Sequence, residues 1–386
     1  MRILYISRSI FPYGAAYASR VMHFAKMLHH MGHTVHVITD YTLDTEAKEG
    51  KVIDLGFCSY QALAMDSGMK NRLQMNKKRY ECVKAYLDTK GADYIITSSF
   101  PFDYKKMRNL MTDRKIPYAI ELCEWFDPSN YKLGKADIRY RINQKTLKKR
   151  YVKEDKIIAI SRYLQNHYEK YGVSCIRIPT ILDMEEFGYS EDTANEKIKI
   201  MYAGNPGKSK ELLKQIFEAI VDLKQEDEQL CEKLCFDIYG VNEEQVLYNI
   251  ENDKSLLDSV RDCIQIQGKV KQEIMNSVYQ EHDYSIFMRP HRRSSEAGFP
   301  TKLAESLAAG TPVLVNQTGD ISCYIENGEN GYLVENDREE IKKLFRELIS
   351  MEKSRYTKMR KNARKTAECS FDYRVYEKEM DKFINE

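Results

Sequence analysis

The sequence predicts an α/β protein built from two doubly wound, Rossmann-like domains. Three observations carry this. Short apolar runs alternate with stretches of helical spacing along the whole chain, the pattern of βαβ units and parallel sheets. The length of 386 residues suits two domains, each with its own core. The alternation breaks once, at the polar stretch Ser190–Glu196 within a linker near Pro179–Asn195.

The first series opens with Arg2–Ser7, an apolar strand. The Gly/Pro-rich loop Phe11-Pro12-Tyr13-Gly14 follows. Ser19–Met31 then carries Val21, Phe24, Ala25 and Leu28 at helical spacing and stops at Gly32. His33–Thr39 is the next strand, and Tyr94–Thr97, Tyr118–Glu121, Lys156–Ile160 and Cys175–Ile178 complete the set. The second series runs Lys199–Tyr202, Phe236–Tyr239, Ile264–Gln267, Tyr284–Met288, Pro312–Val315 and Tyr332–Val334, with Gly204, Gly240 and Gly268 at strand ends. Two such domains leave a cleft between the carboxyl ends of their sheets, where ligands bind. Phe371–Glu386 reads as one amphipathic helix through Tyr373, Tyr376, Met380 and Phe383. The expected division is 1–185, 186–370 and a terminal helix over 371–386. No internal repeat or low-complexity tract interrupts it.

Hydrophobic content of 42% and charged content of 31% suit a soluble globular protein, and no apolar run reaches the ~18 residues of a membrane span. The N-terminal apolar run is too short for a signal peptide. Nine scattered cysteines, of which only Cys231 and Cys235 are close, point to reduced thiols in the cytosol rather than a zinc site. Charge is uneven. Residues 1–183 hold 31 Lys+Arg against 19 Asp+Glu, so +12; residues 184–386 hold 29 against 39, so −10. The excess concentrates in Lys132–Lys153, with nine cations against Asp137. A solvated helix face, an anionic membrane surface and nucleic acid are the three readings of that run. No nucleic-acid motif accompanies it, so no nucleic-acid partner is expected.

The segment Glu296–Val313, EAGFPTKLAESLAAGTPV, is the most informative. Gly298 and Pro300 make a tight loop around Phe299. A helix follows from Thr301 to Ala309, capped by Gly310 with Pro312 beyond. Leu303, Ala304, Leu307 and Ala308 form its apolar stripe, with Thr301, Lys302, Glu305 and Ser306 on the other side. Free amides at the helix start favour an anion, and Lys302 adds a full charge. Glu305, one turn on, is placed to accept from ribose hydroxyls. Together these features describe a nucleoside-diphosphate site.

The same segment resembles the donor-binding stretch of retaining glycosyltransferases of family 4, which have the GT-B fold. FPYGAAYASRVMHFAKMLHHMGHTVHVIT resembles the family's opening loop and helix. KIIAIS and IPTILDMEEF resemble the end of its first domain. MYAGNPGKSK, QIQGKV, DYSIFMRP, Gly319-Asp320 and NGYLV follow in the family's order. The resemblance implies two domains facing a central cleft, with the last helix crossing back onto the first domain. It also implies a nucleotide-sugar donor held by Gly14, Gly204, Asn205, Lys208, Lys210, Arg289, Gly298, Phe299, Pro300, Thr301, Lys302, Leu303 and Glu305. The chain departs from the pattern in two places. Asn205 stands where many members have Arg, although Lys210 keeps the later Lys. Ala297 falls at the first of two family glutamates, with Glu296 one residue away. Glu296, Lys210 and Lys302 are the catalytic candidates.

Many members also present a first-domain histidine to the sugar, and this chain has none between His36 and His167. The matching strand end reads ELCEWFD. Glu121, Glu124 and Asp127 are read as binding acceptor hydroxyls, with Trp125 stacking on a sugar face. Cys123 lacks a neighbouring His and is not a nucleophile. No Asp-x-Asp motif occurs, and Lys208, Lys210, Arg289 and Lys302 supply ample cations, so no metal and no cofactor are expected. The expected activity is retaining transfer by front-face substitution, from a UDP-sugar (alternatively a GDP-sugar) to a glycan or lipid-linked acceptor of surface polysaccharide. The location is cytoplasmic, or peripheral on the inner membrane face through Lys132–Lys153. An epimerase or hydrolase of the same architecture and a non-catalytic membrane-docked scaffold are the alternatives.

Overall fold

The apolar run at the N-terminus forms β1 (Arg2–Ile10), the hub of an eight-stranded sheet. With it lie β2 (Thr34–Tyr41), β3 (Val52–Asp54), β4 (Ser59–Ala64), β5 (Tyr94–Ser98), β6 (Tyr118–Leu122), β7 (Lys156–Ala159) and β8 (Ser174–Arg177). The order is β3-β4-β2-β1-β5-β6-β7-β8. All pairs are parallel except β3–β4. Ile3 to Ile6 are buried on both faces, as expected for a parallel strand covered by helices. The computed structural model describes residues 1–14, 16–47, 50–64, 69–99, 103–191 and 196–386. Residues 192–195 of the expected linker lie outside the described residues.

The second sheet contains β9 (Ile198–Ala203), β10 (Leu234–Tyr239), β11 (Ile264–Gly268), β12 (Tyr284–Phe287), β13 (Val313–Val315) and β14 (Gly331–Leu333). Its order is β11-β10-β9-β12-β13-β14, all parallel. The chain winds outward from β9 to β11 and then crosses to β12 on the other side of β9. Loops leaving β9 and β12 therefore diverge, and the crevice at such a reversal is where open α/β sheets bind ligands.

Every strand that the sequence predicts is present, with ends shifted by one to three residues. The hairpin β3–β4 was not predicted. Its three-residue strand is largely exposed and carries too little periodicity to register. The chain divides into two compact units. The first comprises Met1–Leu182, Ala297–Phe299 and Tyr373–Glu386, and the second Asp183–Glu296 and Pro300–Asp372.

The single terminal helix expected over Phe371–Glu386 is split. Phe371 closes the helix Lys353–Ser370, a 3-10 turn spans Tyr373–Tyr376, and the last helix covers Glu377–Asn385. The Tyr373 amide donates to the Leu182 carbonyl at 3.0 Å instead of continuing a helical ladder. Met380, Phe383 and Ile384 then join Val21, Phe24 and Leu28 in the core of the first unit. Among the described residues no helix is long and apolar enough to cross a membrane.

Candidate active site

The chain leaves β9 at Gly204, whose φ of +131° is open to glycine but strained for other residues. A β-carbon there would stand 3.0 Å from Lys302 Nζ, and one at Gly240, after β10, would stand 3.0 Å from the Gly204 carbonyl oxygen. The two turns therefore pack backbone to backbone. In the loop that follows, Asn205 Oδ1 accepts the Gly207 amide at 2.9 Å. Buried Asn249 holds the rest. Its Nδ2 donates to the carbonyls of Gly207 (2.9 Å) and Glu211 (2.8 Å), and its Oδ1 accepts the Leu213 amide at 3.0 Å. Lys208 and Lys210 are exposed on this scaffold.

Beneath the turn lies a residue that the sequence did not flag. Glu211 is buried and accepts from Lys302 Nζ at 2.5 Å and from the Tyr202 hydroxyl. Burial works to raise the Glu211 pKa, but the Lys302 charge and these hydrogen bonds outweigh it and hold the carboxyl below its ordinary value. Burial also lowers the Lys302 pKa, against the attraction of Glu211 and with help from Lys210 and Arg289. Lys302 Nζ sits 4.3 Å from the Tyr202 ring centre and 5.3 Å from that of Phe287, so its remaining contacts are cation–π.

Arg289, two residues past β12, is only 9% exposed. Asn316 clamps its backbone, accepting the Arg289 amide at 2.7 Å and donating to its carbonyl at 2.7 Å. Its guanidinium Nη1 is buried with no partner among the described residues. Burial lowers its pKa, opposed by the charges of Glu211 and Glu296. A buried guanidinium nitrogen without an acceptor is costly unless a ligand supplies one.

The helix Thr301–Ala308 starts at Pro300 and presents Lys302 and Glu305 on its half-buried side. Gly310 closes it at φ +73°, and a β-carbon there would strike the Tyr189 ring. Burial pushes the Glu305 carboxyl up to about 7, against the pull of Lys302 and a hydrogen bond from Tyr279. Two assignments on this helix are corrected. The Leu303 side chain is fully buried and its amide donates to the Pro300 carbonyl at 3.1 Å, so its side chain belongs to the core rather than to the open side of the helix. Ser306 is not on the polar face, because its hydroxyl pairs with Ser285 at 2.7 Å in the core.

Glu296 Oε2 accepts the Gly319 amide at 2.8 Å. A β-carbon at Gly319 would come within 3.0 Å of the Glu296 carbonyl, so the Gly319-Asp320 turn is seated on this residue. Ala297, Gly298 and Phe299 fall with the first unit and are buried, and the Ser161 hydroxyl donates to the Ala297 carbonyl at 2.7 Å. Thus Lys302, Glu211, Arg289, Glu296, Lys210 and the Gly204 turn gather at the β9–β12 reversal, with Glu305 one helical turn behind.

Two family models match the chain. Residues 18–186 match Glycosyltransferase Family 4, and residues 184–366 match Glycosyl transferases group 1. The chain is a glycosyltransferase of the GT-B fold. Solved structures agree on that fold. A sucrose-phosphate synthase from Thermosynechococcus elongatus superposes with a TM-score of 0.73 at 14% identity, over 100% of this chain and 98% of that one. A glycosyltransferase from Rickettsia africae gives 0.70 at 15%, over 100% and 98%. Anabaena Alr3699/HepE, solved in complex with UDP-glucose, gives 0.65 at 13%, over 100% and 99%. No curated protein matches the sequence.

In the first unit of this glycosyltransferase two of the four expected acceptor residues, Glu121 and Trp125, are turned inward. Glu121 is 2% exposed and accepts from Arg20 Nε at 2.6 Å, Tyr17 at 2.5 Å and the Tyr5 hydroxyl. Arg20 also donates to the carbonyls of Ile178 and Pro179. The three hydrogen bonds from Arg20, Tyr17 and Tyr5 tie the Glu121 carboxylate into the fold of the first unit. Trp125 is 2% exposed, lies edge-on to His167 at 4.6 Å, and donates from Nε1 to Gln144 at 3.1 Å. A ring enclosed in this way offers no face to a sugar. Glu124 is exposed, and Asp127 opens the 3-10 turn Pro128–Asn130. Burial, with the Glu121 charge, pushes the Cys123 thiol well up, away from nucleophilic use. Gly14, at φ +110°, follows β1, and a β-carbon there would press on Leu43 at 2.8 Å. Among the described residues no group of three or more His, Cys, Asp or Glu side chains is arranged to hold a metal.

Proposed function

We propose that this glycosyltransferase moves a sugar from a nucleoside-diphosphate sugar to a glycan or lipid-linked acceptor, with retention of anomeric configuration. The observation that carries the reading is the buried Arg289 Nη1 without an acceptor, electrostatically coupled to Lys302 at the start of the helix Thr301–Ala308. A diphosphate fills that need. Its oxygens take the Arg289 guanidinium, Lys302 and the helix-start amides, with exposed Lys208 and Lys210 adding attraction. The Gly204 turn lets backbone approach the phosphates, and the Glu305 carboxylate accepts from ribose. Leaving-group charge is then met by preorganised cations, and the acceptor hydroxyl attacks from the face that the diphosphate leaves. The Anabaena neighbour was solved with UDP-glucose, which makes UDP-sugars the first donors to test.

The test is calorimetric titration of the full chain with UDP- and GDP-sugars, on wild type and Arg289→Gln. A donor that binds the wild type and loses affinity by on the order of 100-fold in the variant supports the site. The product anomer formed with a polysaccharide-precursor acceptor, read by NMR, then decides retention. Equal binding by both proteins, or none by wild type, overturns the reading. Release of free or epimerised sugar without acceptor shows the chain to be a hydrolase or epimerase.

A further inference from the structure

The basic run carries two aliphatic side chains in the open. Leu133 is 70% exposed and Ile138 68%, more than any other large apolar side chain among the described residues. Leu133 lies just before the 3-10 turn Gly134–Ala136, and Ile138 begins the helix Ile138–Lys145. The inner side of this segment is anchored. Gln144 accepts from Trp125 Nε1 and donates to the Phe126 carbonyl, and Thr146 and Leu147 are buried. Ile138, Arg141 and Lys145 lie at helical spacing on the helix Ile138–Lys145, Lys148 and Lys149 follow on the π turn Thr146–Arg150, Lys132 stands beside Leu133, and all are exposed. The carboxylate of Asp137 is taken by Arg139 at 2.6 Å, so it does not neutralise these lysines.

Charge alone would serve any polyanion. Two separate aliphatic tips standing out among cations serve one surface in particular. They need a fluid apolar phase directly beneath an anionic layer, which base edges and phosphates of nucleic acid do not provide. We infer that the face formed by Lys132, Leu133, Ile138, Arg141, Lys145 and Lys149 docks on an anionic lipid bilayer. Leu133 and Ile138 enter the headgroup–acyl boundary, while the lysine stems extend to lipid phosphates. The face belongs wholly to the first unit and requires neither the donor site nor any acceptor.

The test is co-sedimentation of the full chain with vesicles of phosphatidylcholine alone or mixed with phosphatidylglycerol. Binding to the mixed vesicles, weakened by salt and absent from phosphatidylcholine, is expected. Replacing Lys132, Lys145 and Lys149 together by Gln should weaken it on the order of 100-fold. Leu133→Ser with Ile138→Ser should weaken it about tenfold without lowering the thermal midpoint, since neither side chain packs inside. In Leu133→Trp the emission should shift blue on mixed vesicles, against the constant signal of buried Trp125. Binding indifferent to phosphatidylglycerol, unchanged binding in the Ser variant, or no blue shift in the vesicle-bound Trp variant overturns the proposal. So does binding of single-stranded RNA with no vesicle binding, which makes the face a nucleic-acid surface.

Discussion

Lys302 and Glu211 form a buried ion pair, Nζ to Oε2 at 2.5 Å, directly under the glycine turn at Gly204. Breaking such a pair from one side leaves a charge buried without compensation. Lys302→Met should lower stability by about 3 kcal/mol, and Glu211→Gln added to it should restore part of that loss. Urea denaturation of the two single variants and the double should give a coupling energy above ~1 kcal/mol. Additive losses would show that the pair is solvated and weak.

Arg289 presents the opposite case, a buried cation whose Nη1 has no partner among the described residues. Its removal should cost donor binding and not stability. Arg289→Gln should lose ~3 kcal/mol of affinity for the nucleoside diphosphate while its denaturation midpoint stays level or rises. Titration calorimetry and urea unfolding on one preparation check both parts. A fall in stability with donor affinity intact would make Arg289 a structural residue.

Glu305 couples the site to pH. Its folded-state pKa is raised to about 7 from an ordinary 4.5, because burial disfavours the charged form. The unfolded chain releases this proton more readily, so the group costs stability above pH 7, and the cost fades as pH falls from 7 toward 4.5. The shift corresponds to a cost on the order of 2 kcal/mol at pH 8 once partial exposure is allowed for. Glu305→Gln should remove it and flatten stability between pH 5 and pH 8, and donor affinity should lose its titration near neutrality. A variant that keeps the wild-type pH dependence would contradict the assignment.

Trp125 is the only tryptophan and is enclosed. Its emission should be blue-shifted, resist quenching by iodide, and remain unchanged by acceptor. Trp125→Ala should cost about 3 kcal/mol in the first unit. Quenching by iodide equal to that of a free indole, or a shift on adding acceptor, would return the ring to the binding surface.

The sequence by itself determined the two α/β domains. The central strands β9 and β10 of the second sheet were legible because burial leaves a short apolar run ended by glycine, as at Tyr202–Gly204 and Ile238–Gly240. The helix Thr301–Ala308 was legible for the same local reason, since Pro300, Thr301 and Gly310 mark its ends within ten residues of one another. Strand β3 was not, because Val52–Asp54 is short and mostly exposed.

Tertiary structure alone decided which groups face which. Glu211 meets Lys302 across 91 positions, and Tyr5 meets Glu121 across 116. Nothing in the spacing of ELCEWFD shows that Glu121 and Trp125 turn inward while Glu124 stays out. Strand periodicity and turn chemistry act over a few residues and are written locally. The partner of a buried charge is set by whichever distant element packs against it, and there the cost of an unpaired charge outweighs local preference.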